Sequence, residues 1–394
     1  MRILQVTTSM DSRVGGPPAV LNALTPVLSE LGHSSEFVTC EAPSGNGPER
    51  HLGCPIHRLG PPSNSYQFCP ALEPWIKANA PRFDMVFVHG LWQHHGLSTR
   101  RALAGTGVPY FVYTHGMLDP WFKRTYPLKH IKKWIYWNLH EKRVLKDAAA
   151  VLFTCEEERQ LASQSFSNYS CTERVVEFGT ARPDLDRKAV GYAFKRHFPE
   201  LTDKPYLLFL SRIHPKKGLD LLLRAYGEQC KLNEGAYPDL MIAGPCSDSN
   251  YLEELKALET KTCPAGHVHW TGMIEGDIKW GAILNAEAFV LSSHQENFGI
   301  AVAEAMALGK AVLISNKVNI WREIVKDGGG LAAEDDFEGT LSLLRQWREL
   351  PEAARQLMGT RALASFEQRF EIKAVAQSLI ETTTAFLRRP PTAP

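Results

Sequence analysis

The stretch Tyr206-Leu207-Leu208-Phe209-Leu210-Ser211-Arg212-Ile213-His214-Pro215-Lys216-Lys217-Gly218-Leu219-Asp220-Leu221-Leu222-Leu223 opens on an unbroken apolar run, turns through a proline and a glycine, and resumes as a second apolar run. A short apolar run without alternation reads as a strand buried on both faces, the kind found in parallel sheets. Pro215 and Gly218 punctuate the turn, and the residues after Gly218 read as a helix. The stretch is therefore the first half of a βα unit. The same pattern continues downstream, with strands expected at 240–243, 268–270, 288–291 and 311–314. Upstream it recurs at 3–6, 37–39, 56–59, 85–88, 110–113 and 151–154, with helical patterns between most of them. Strands alternating with helices imply parallel sheets of α/β class. The polar stretch 180–188 separates the two series, so the expected domains are 1–185 and 200–365, followed by a terminal helix and frayed tail over 366–394. A helix over 371–388 is expected to dock back onto the first domain. Two Rossmann-like domains facing each other would set the loops at their strand C-termini around one cleft.

Bulk properties narrow the function classes. A chain of 394 residues leaves room for two or three domains, and two series of strands select two. Apolar residues at 44% against charged residues at 22% describe a globular chain with a large core, which excludes disorder as the main theme. Lys plus Arg (44) nearly cancel Asp plus Glu (43), so no global charge draws the chain to nucleic acid, and none is expected as a partner. The eight cysteines contain no C-x-x-C pair and read as scattered thiols of a reducing compartment. Met1-Arg2-Ile3-Leu4-Gln5-Val6-Thr7-Thr8-Ser9 reads as a first strand and not as a secretory signal. No run approaches the ~18 apolar residues of a membrane span. The expectation is a soluble cytoplasmic protein, with the inner face of the membrane as an added place of work.

Two loops carry the chemistry. Arg212, Lys216 and Lys217 lie at a strand end, where a planar fork and compact point charges suit a diphosphate whose negative charge rises as a bond to it breaks. A solvated basic turn is the plain alternative. Further on, Ser292-Ser293-His294-Gln295-Glu296-Asn297-Phe298-Gly299-Ile300-Ala301-Val302-Ala303-Glu304-Ala305-Met306-Ala307-Leu308-Gly309-Lys310 follows a strand and opens a helix. Gly299 permits close backbone approach, and the amides of Phe298, Gly299 and Ile300 would aim at an anion at the positive helix end. Glu296 on the loop and Glu304 about one turn into the helix can face one ligand without touching each other. Carboxylates accept hydrogen bonds from vicinal hydroxyls, so a ligand with hydroxyls on both sides of its phosphates fits, which describes a nucleotide sugar. Capping acids on a structural helix explain each residue singly but not the combination.

These residues resemble the signature of the retaining GT-B glycosyltransferases of family 4. The resemblance rests on Glu296 and Glu304 with Asn297-Phe298-Gly299 between them, on Ala305-Met306-Ala307-Leu308-Gly309 after them, and on Ser211-Arg212 through Lys217-Gly218. Gly15-Gly16-Pro17 after the first strand extends it over nearly the whole chain. It implies the GT-B fold, in which two Rossmann-like domains face each other across a cleft. It implies that Arg212 and Lys217 hold the donor diphosphate, Glu304 the ribose, and Glu296 the hydroxyls of the sugar. Asn297, Phe298, Gly299 and Ile300 would lie beside Glu296, with Gly244 and Met273 also on the donor side. Gly15 and Gly16 would let the first-domain loop approach the phosphates. His115 in Thr114-His115-Gly116 matches a family histidine near the reacting sugar, with a structural strand-end histidine as the plain alternative. Arg212, Lys217, Glu296 and His115 are the expected catalytic residues. One departure stands out: where the family often has paired glycines before a helical Glu, this chain reads Asn316-Lys317-Val318-Asn319-Ile320-Trp321-Arg322-Glu323. The implied activity is transfer of a hexose from a UDP- or GDP-linked sugar to a glycan or lipid-linked acceptor, with retention, in polysaccharide or glycolipid synthesis.

Neither a cofactor nor a metal is expected. Asp184-Leu185-Asp186 has a metal-binding spacing but reads as a solvated linker, and His94-His95 and His267-x-His269 lack further ligands. Residues 121–146 contain eight Lys or Arg against one Glu, interleaved with aromatics. This segment reads either as a surface for anionic lipid headgroups or as a core-facing helix with solvated lysines. The competing functions are a nucleotide-sugar epimerase of the same fold and a catalytically silent sugar-nucleotide binding partner. A dehydrogenase is disfavoured because no G-x-G-x-x-G follows the first strand, and a P-loop NTPase because G-K-[ST] is missing.

Overall fold

The computed structural model describes residues 1–11, 16–45, 49–202, 204–233 and 237–387. The chain forms two compact units. Unit 1 joins Met1–Ala181 to the chain from Ile372 onward, and unit 2 is Arg182–Glu371.

Unit 1 is built on β1 (Arg2–Val6), β2 (Ser34–Thr39), β3 (Glu49–His51), β4 (Cys54–Arg58), β5 (Met85–His89), β6 (Tyr110–Tyr113), β7 (Ala150–Phe153) and β8 (Glu173–Val175). They form one sheet in the order β3-β4-β2-β1-β5-β6-β7-β8. Only the β3–β4 pair is antiparallel among the described strands. The residues of β5, β6 and β7 are all buried, because helices cover both sheet faces. Unit 2 holds β9 (Tyr206–Leu210), β10 (Asp239–Ala243), β11 (Val268–Gly272), β12 (Ala288–Leu291), β13 (Val312–Ser315) and β14 (Gly330–Ala333). They form an all-parallel sheet in the order β11-β10-β9-β12-β13-β14.

The strand order reverses direction between β1 and β5 in unit 1, and between β9 and β12 in unit 2. At such a switch point the loops beyond the strand C-termini diverge and leave a crevice. The loops beyond β9 and β12 are the two that carry the sequence motifs.

Three strands, β3, β8 and β14, have no counterpart in the sequence reading. All three are short sheet edges, and β3 (Glu-Arg-His) and β8 (Glu-Arg-Val) carry charge where an interior strand is apolar. The linker expected before residue 200 is folded into unit 2. Asp186 accepts from the Lys188 and Ala189 amides at 2.9 and 3.2 Å and so caps the helix Arg187–His197. Phe194 of that helix is fully buried and lies so close to Gly281 that a Cβ there would come within 2.5 Å of its own Cβ. At the other end, unit 2 continues past residue 365 through a π-helical turn, Phe366–Phe370, to Glu371. The terminal helix Ile372–Leu387 then belongs to unit 1 and packs on the helix Gly16–Glu30.

Candidate functional site

In unit 2 the loops that leave β9 and β12 are stitched together. Ser292 Oγ donates to the Gly218 carbonyl and Ser293 Oγ to the Lys216 carbonyl, both at 2.9 Å, and the His294 amide reaches the same Lys216 carbonyl at 2.8 Å. Gly218 has φ 62°, and a Cβ on it would sit 2.0 Å from the Ser292 carbonyl oxygen. Only glycine allows this approach. Gly244, beyond β10, does the same from the other side: φ is 144° and a Cβ would come 1.9 Å from the Ser211 carbonyl oxygen. The backbone carrying Arg212 and Lys217 is thus pinned by the loops on either side of it.

Arg212 is exposed and makes no hydrogen bond or ion pair with other described residues. Its guanidinium is open to a ligand. Lys216 donates to Gln295 Oε1 at 2.7 Å, while Lys217 Nζ is ion-paired with Glu296 Oε2. Glu296 is itself held by its backbone, its amide donating to the Lys317 carbonyl and its carbonyl accepting from the Asn319 amide, both at 2.9 Å. Gly299, at φ 78°, turns the chain into the helix Ile300–Ala307. The first-turn amides of a helix have no carbonyl partner within it, and with the helix dipole they favour an anion. Phe298 is buried against Phe370, its ring centroid 5.7 Å away, and so anchors the loop. Asn297 Oδ1 accepts from Asn319 Nδ2 at 3.4 Å.

Glu304 pairs with Lys279 Nζ at 2.7 Å through Oε1. The two carboxylates therefore have the same arrangement: a lysine holds one oxygen of each, and the other, Glu296 Oε1 or Glu304 Oε2, has no partner among the described residues. Lys279 was not foreseen. It lies in the helix Gly276–Asn285, where no spacing links it to Glu304. Met273, just beyond β11, is 61% exposed, an apolar side chain beside a polar loop system. Among the described residues no group of three His, Cys, Asp or Glu could hold a metal ion. His269 Nε2 instead pairs with Asp239 at 2.9 Å, a strand-to-strand contact.

In unit 1, His115 follows β6 with φ 50°, a left-handed conformation that costs a non-glycine residue energy and is held by its neighbours. The holding group is the buried carboxylate of Glu158. It accepts from Thr114 Oγ1 and the Gly116 amide, both at 2.5 Å, and from the Thr154 amide and hydroxyl at 2.7 and 2.6 Å. In sequence Glu158 is the last of three consecutive acids, Glu156-Glu157-Glu158, and no motif marks it. His115 Nε2 lies 3.2 Å from His89 Nδ1, and His89 Nε2 lies 2.8 Å from Gln5 Oε1. Burial pushes His115 down to about 3 and holds His89 well below the ordinary histidine value, with His95 a lesser cause for both and His115 a further one for His89, so both rings are neutral at pH 7. With Gln5 Oε1 as acceptor, His89 donates through Nε2 and His115 donates through Nε2 to His89 Nδ1. His115 Nδ1 is left as a buried acceptor without a partner. Its lone pair can take a hydroxyl. Gly16 opens the helix Gly16–Glu30 after β1, and Gly15 lies outside the described residues.

The basic aromatic segment is helical and divides its side chains between interior and solvent. Trp137 is buried and Lys133 Nζ rests 3.9 Å from the Phe122 ring centroid and 4.8 Å from that of Trp92. The helix Pro127–Tyr136, by contrast, has no buried residue.

Comparison with known proteins bears on the family and the fold. The family profile described as glycosyl transferases group 1 matches residues 193–361, and the glycosyl transferase 4-like domain matches 15–171. Phosphatidyl-myo-inositol mannosyltransferase of Mycolicibacterium smegmatis is 31% identical over 145 residues, 35% of this chain and 34% of the relative. Across the first curated relatives the chain spans about a third of their length, 32% and 34%. Among solved structures, sucrose-phosphate synthase from Thermosynechococcus elongatus matches with TM-score 0.72 at 17% identity over 98% of both chains. Anabaena HepE in complex with UDP and glucose matches with TM-score 0.69 at 15% identity, over 98% of this chain and 100% of that one. At these identities the likeness concerns the fold. With profiles over both units and the motif loops at the switch point of unit 2, the chain belongs to the GT-B glycosyltransferases of the group 1, family 4 type.

Proposed function

We propose that the chain is a retaining hexosyltransferase that takes its sugar from a UDP- or GDP-linked donor and needs no metal. The observation that carries this reading is the pairing of Glu296 and Glu304 with Lys217 and Lys279, which leaves each carboxylate one oxygen for ligand hydroxyls. Glu304 would hold the ribose and Glu296 the sugar. The diphosphate between them would meet the open Arg212 guanidinium, the Lys217 ammonium and the amides at Gly299 and Ile300. As the bond from the anomeric carbon to the diphosphate breaks, negative charge builds on the leaving oxygen, and Arg212 and Lys217 stabilise it. Removing one preorganised donor of this kind costs on the order of 3 kcal/mol, a hundredfold or more in rate. Retention follows if the acceptor hydroxyl attacks on the face that the diphosphate leaves. Gly244 and Met273 complete the donor side, with Met273 offering an apolar contact to the base. In unit 1 the neutral His115, through its bare Nδ1, is proposed as an acceptor for a sugar hydroxyl.

The acceptor is read as a glycan or lipid-linked hydroxyl in polysaccharide or glycolipid synthesis. The eight Lys or Arg among the aromatics of residues 121–146 support work at the inner face of a membrane.

The test is hydrolysis of a panel of UDP-, GDP- and ADP-sugars in EDTA by the wild type, Glu296→Ala and Lys217→Ala. Turnover of one donor, reduced at least a hundredfold in both variants, is the expected result. Folded wild type that neither binds nor turns over any donor, with or without glycan and lipid acceptors, would leave the silent binding partner as the reading.

A further inference from the structure

The fold leaves an apolar surface on unit 1 that its own core does not use. Toward the interior, the helix Pro127–Tyr136 and the π-turn after it present His130, stacked on Phe166 at 4.7 Å, then Lys133 over its two rings and the buried Trp137. Toward solvent they present Leu128, Ile131, Ile135 and Leu139, which are 80%, 54%, 49% and 55% exposed. The spacing i, i+3, i+7, i+11 places these four on one stripe. On an ordinary surface helix that stripe is polar, and here it is the apolar one.

The stripe borders a groove of about 510 Å³. Its walls are Phe68, Leu97, Ile135 and Leu139, together with the rings of Tyr66 and Tyr136. The two phenols hydrogen-bond each other at 2.7 Å and so turn their rings to the groove. This volume lies in the ~300–1,000 Å³ range of small-molecule sites. Arg101 and Lys132 also line it. Arg101 comes no nearer to an acid than 3.9 Å, from Glu73, and Lys132 has no ion-pair partner among the described residues. The one acid of the segment, Glu141, is buried beneath, 1% exposed, and accepts from the Trp92 amide at 3.2 Å. Hydrocarbon walls with an unpaired Lys132 and an Arg101 held only by a long contact to Glu73 match a ligand that is apolar along its length and anionic at its end.

We propose that this groove takes the hydrocarbon chain of a single phosphate-bearing lipid, with the phosphate on Arg101 and Lys132. The proposal rests on the lipid-linked branch of the acceptor reading and names the chemistry that the acceptor would carry. The exposed stripe beside the groove then lies against the bilayer that supplies the lipid.

The experiment titrates the full chain with geranylgeranyl phosphate, geranylgeraniol and inorganic phosphate in turn, following tryptophan fluorescence, with Trp134 next to the stripe. Saturable binding of the phosphorylated isoprenoid alone is expected. The double variant Ile135→Gln, Leu139→Gln should weaken it at least tenfold, as should Arg101→Gln with Lys132→Gln. All four side chains are at the surface of the groove, and circular dichroism checks that the variants are folded. Absence of saturable binding, or binding equal in wild type and both variants, overturns the proposal. So does flotation with phosphatidylglycerol vesicles without binding of the monomeric lipid, which makes the face a plain bilayer contact. Dimerisation that the apolar double variant abolishes, without lipid binding, overturns it in favour of a second copy of this chain. Donor hydrolysis in the same samples reads unit 2 separately: its failure sinks the proposed transfer reaction and leaves the lipid measurement intact.

Discussion

Glu304 is one turn into its helix, only slightly exposed, and Lys279 is its counter-charge. If the pair exists to aim the carboxylate, Lys279→Ala should weaken donor binding while leaving kcat at saturation nearly unchanged. For a partly buried pair the expected loss is about 1 kcal/mol, roughly fivefold in donor affinity, and Lys279→Arg should restore most of it. A fall in kcat with unchanged donor affinity would refute the aiming role. Glu141 gives a second residue-scale expectation. Burial raises its carboxyl to about 8 from an ordinary value of 4.5, against the opposing effects of the Trp92 amide and the Lys133 charge. Between those values the folded state keeps a proton that the unfolded state has released, so stability falls as pH rises through this window. His89 and His115 act in the opposite sense, binding protons only when unfolded below 6.5, so they subtract stability as pH falls below that value. Between about pH 6.5 and 7.5 Glu141 is the main group that changes; nearer pH 8 the ammonium groups of Lys133 and Lys310, which burial lowers to about 8, begin to lose protons in the folded state and oppose it. The wild type should lose up to about 1.4 kcal/mol per pH unit there, measured by urea denaturation, and Glu141→Gln should flatten the slope. Of these residues, Glu296 and Glu304 were readable because a fixed spacing on a strand–loop–helix places both near one helix end. Lys279, Glu158 and His89 were not, since each reaches its partner from another element and no local pattern encodes that meeting.

At the scale of elements, what could be read depended on burial. Interior strands such as β6 and β9 stand out as apolar runs because both faces are covered, and their bounds coincide with the expected ones. Edge strands β3, β8 and β14 lack that signal because an edge gains little from apolar residues and risks unwanted pairing. The glycine positions tell the same story. Gly218 and Gly266 look alike in sequence, and both have positive φ, 62° and 81°. A Cβ at Gly218 would collide with the Ser292 carbonyl at 2.0 Å, whereas one at Gly266 meets nothing within 4 Å. Gly266→Ala should therefore cost only the ~1–2 kcal/mol of left-handed strain. Gly218→Ala should cost more than that and also abolish donor binding, because the β9 and β12 loops can no longer approach. Thermal melts with and without the preferred donor would distinguish the two. Equal losses of stability and donor binding in both variants would show that loop contact at Gly218 does not organise the site.

At the scale of the whole molecule, the chain leaves unit 1 at Ala181, builds unit 2, and returns at Ile372. A terminal helical pattern over 371–388 is what the sequence offers. What fixes the return is core burial: Ile372, Val375, Ala376 and Leu379 are 0–3% exposed, and the Phe386 ring meets that of Phe111 at 5.6 Å. Burying one such large side chain is worth ~1.5–3 kcal/mol, so several together approach the ~5–15 kcal/mol that holds a typical domain folded. Ending the chain at Glu371 should then destabilise unit 1, although every residue removed follows unit 2 in sequence. Hydrogen exchange of the truncated chain should show protection falling in β1, β5 and β6 while β9, β12 and β13 keep theirs. The opposite pattern, or a uniform loss, would mean that the helix serves unit 2 and that the division of the chain has been drawn in the wrong place. Because the loops after β9 and β12, proposed to hold the donor, lie wholly within unit 2, the truncated protein should still bind the proposed nucleotide while losing turnover, and calorimetry with the nucleoside diphosphate alone would separate those two effects.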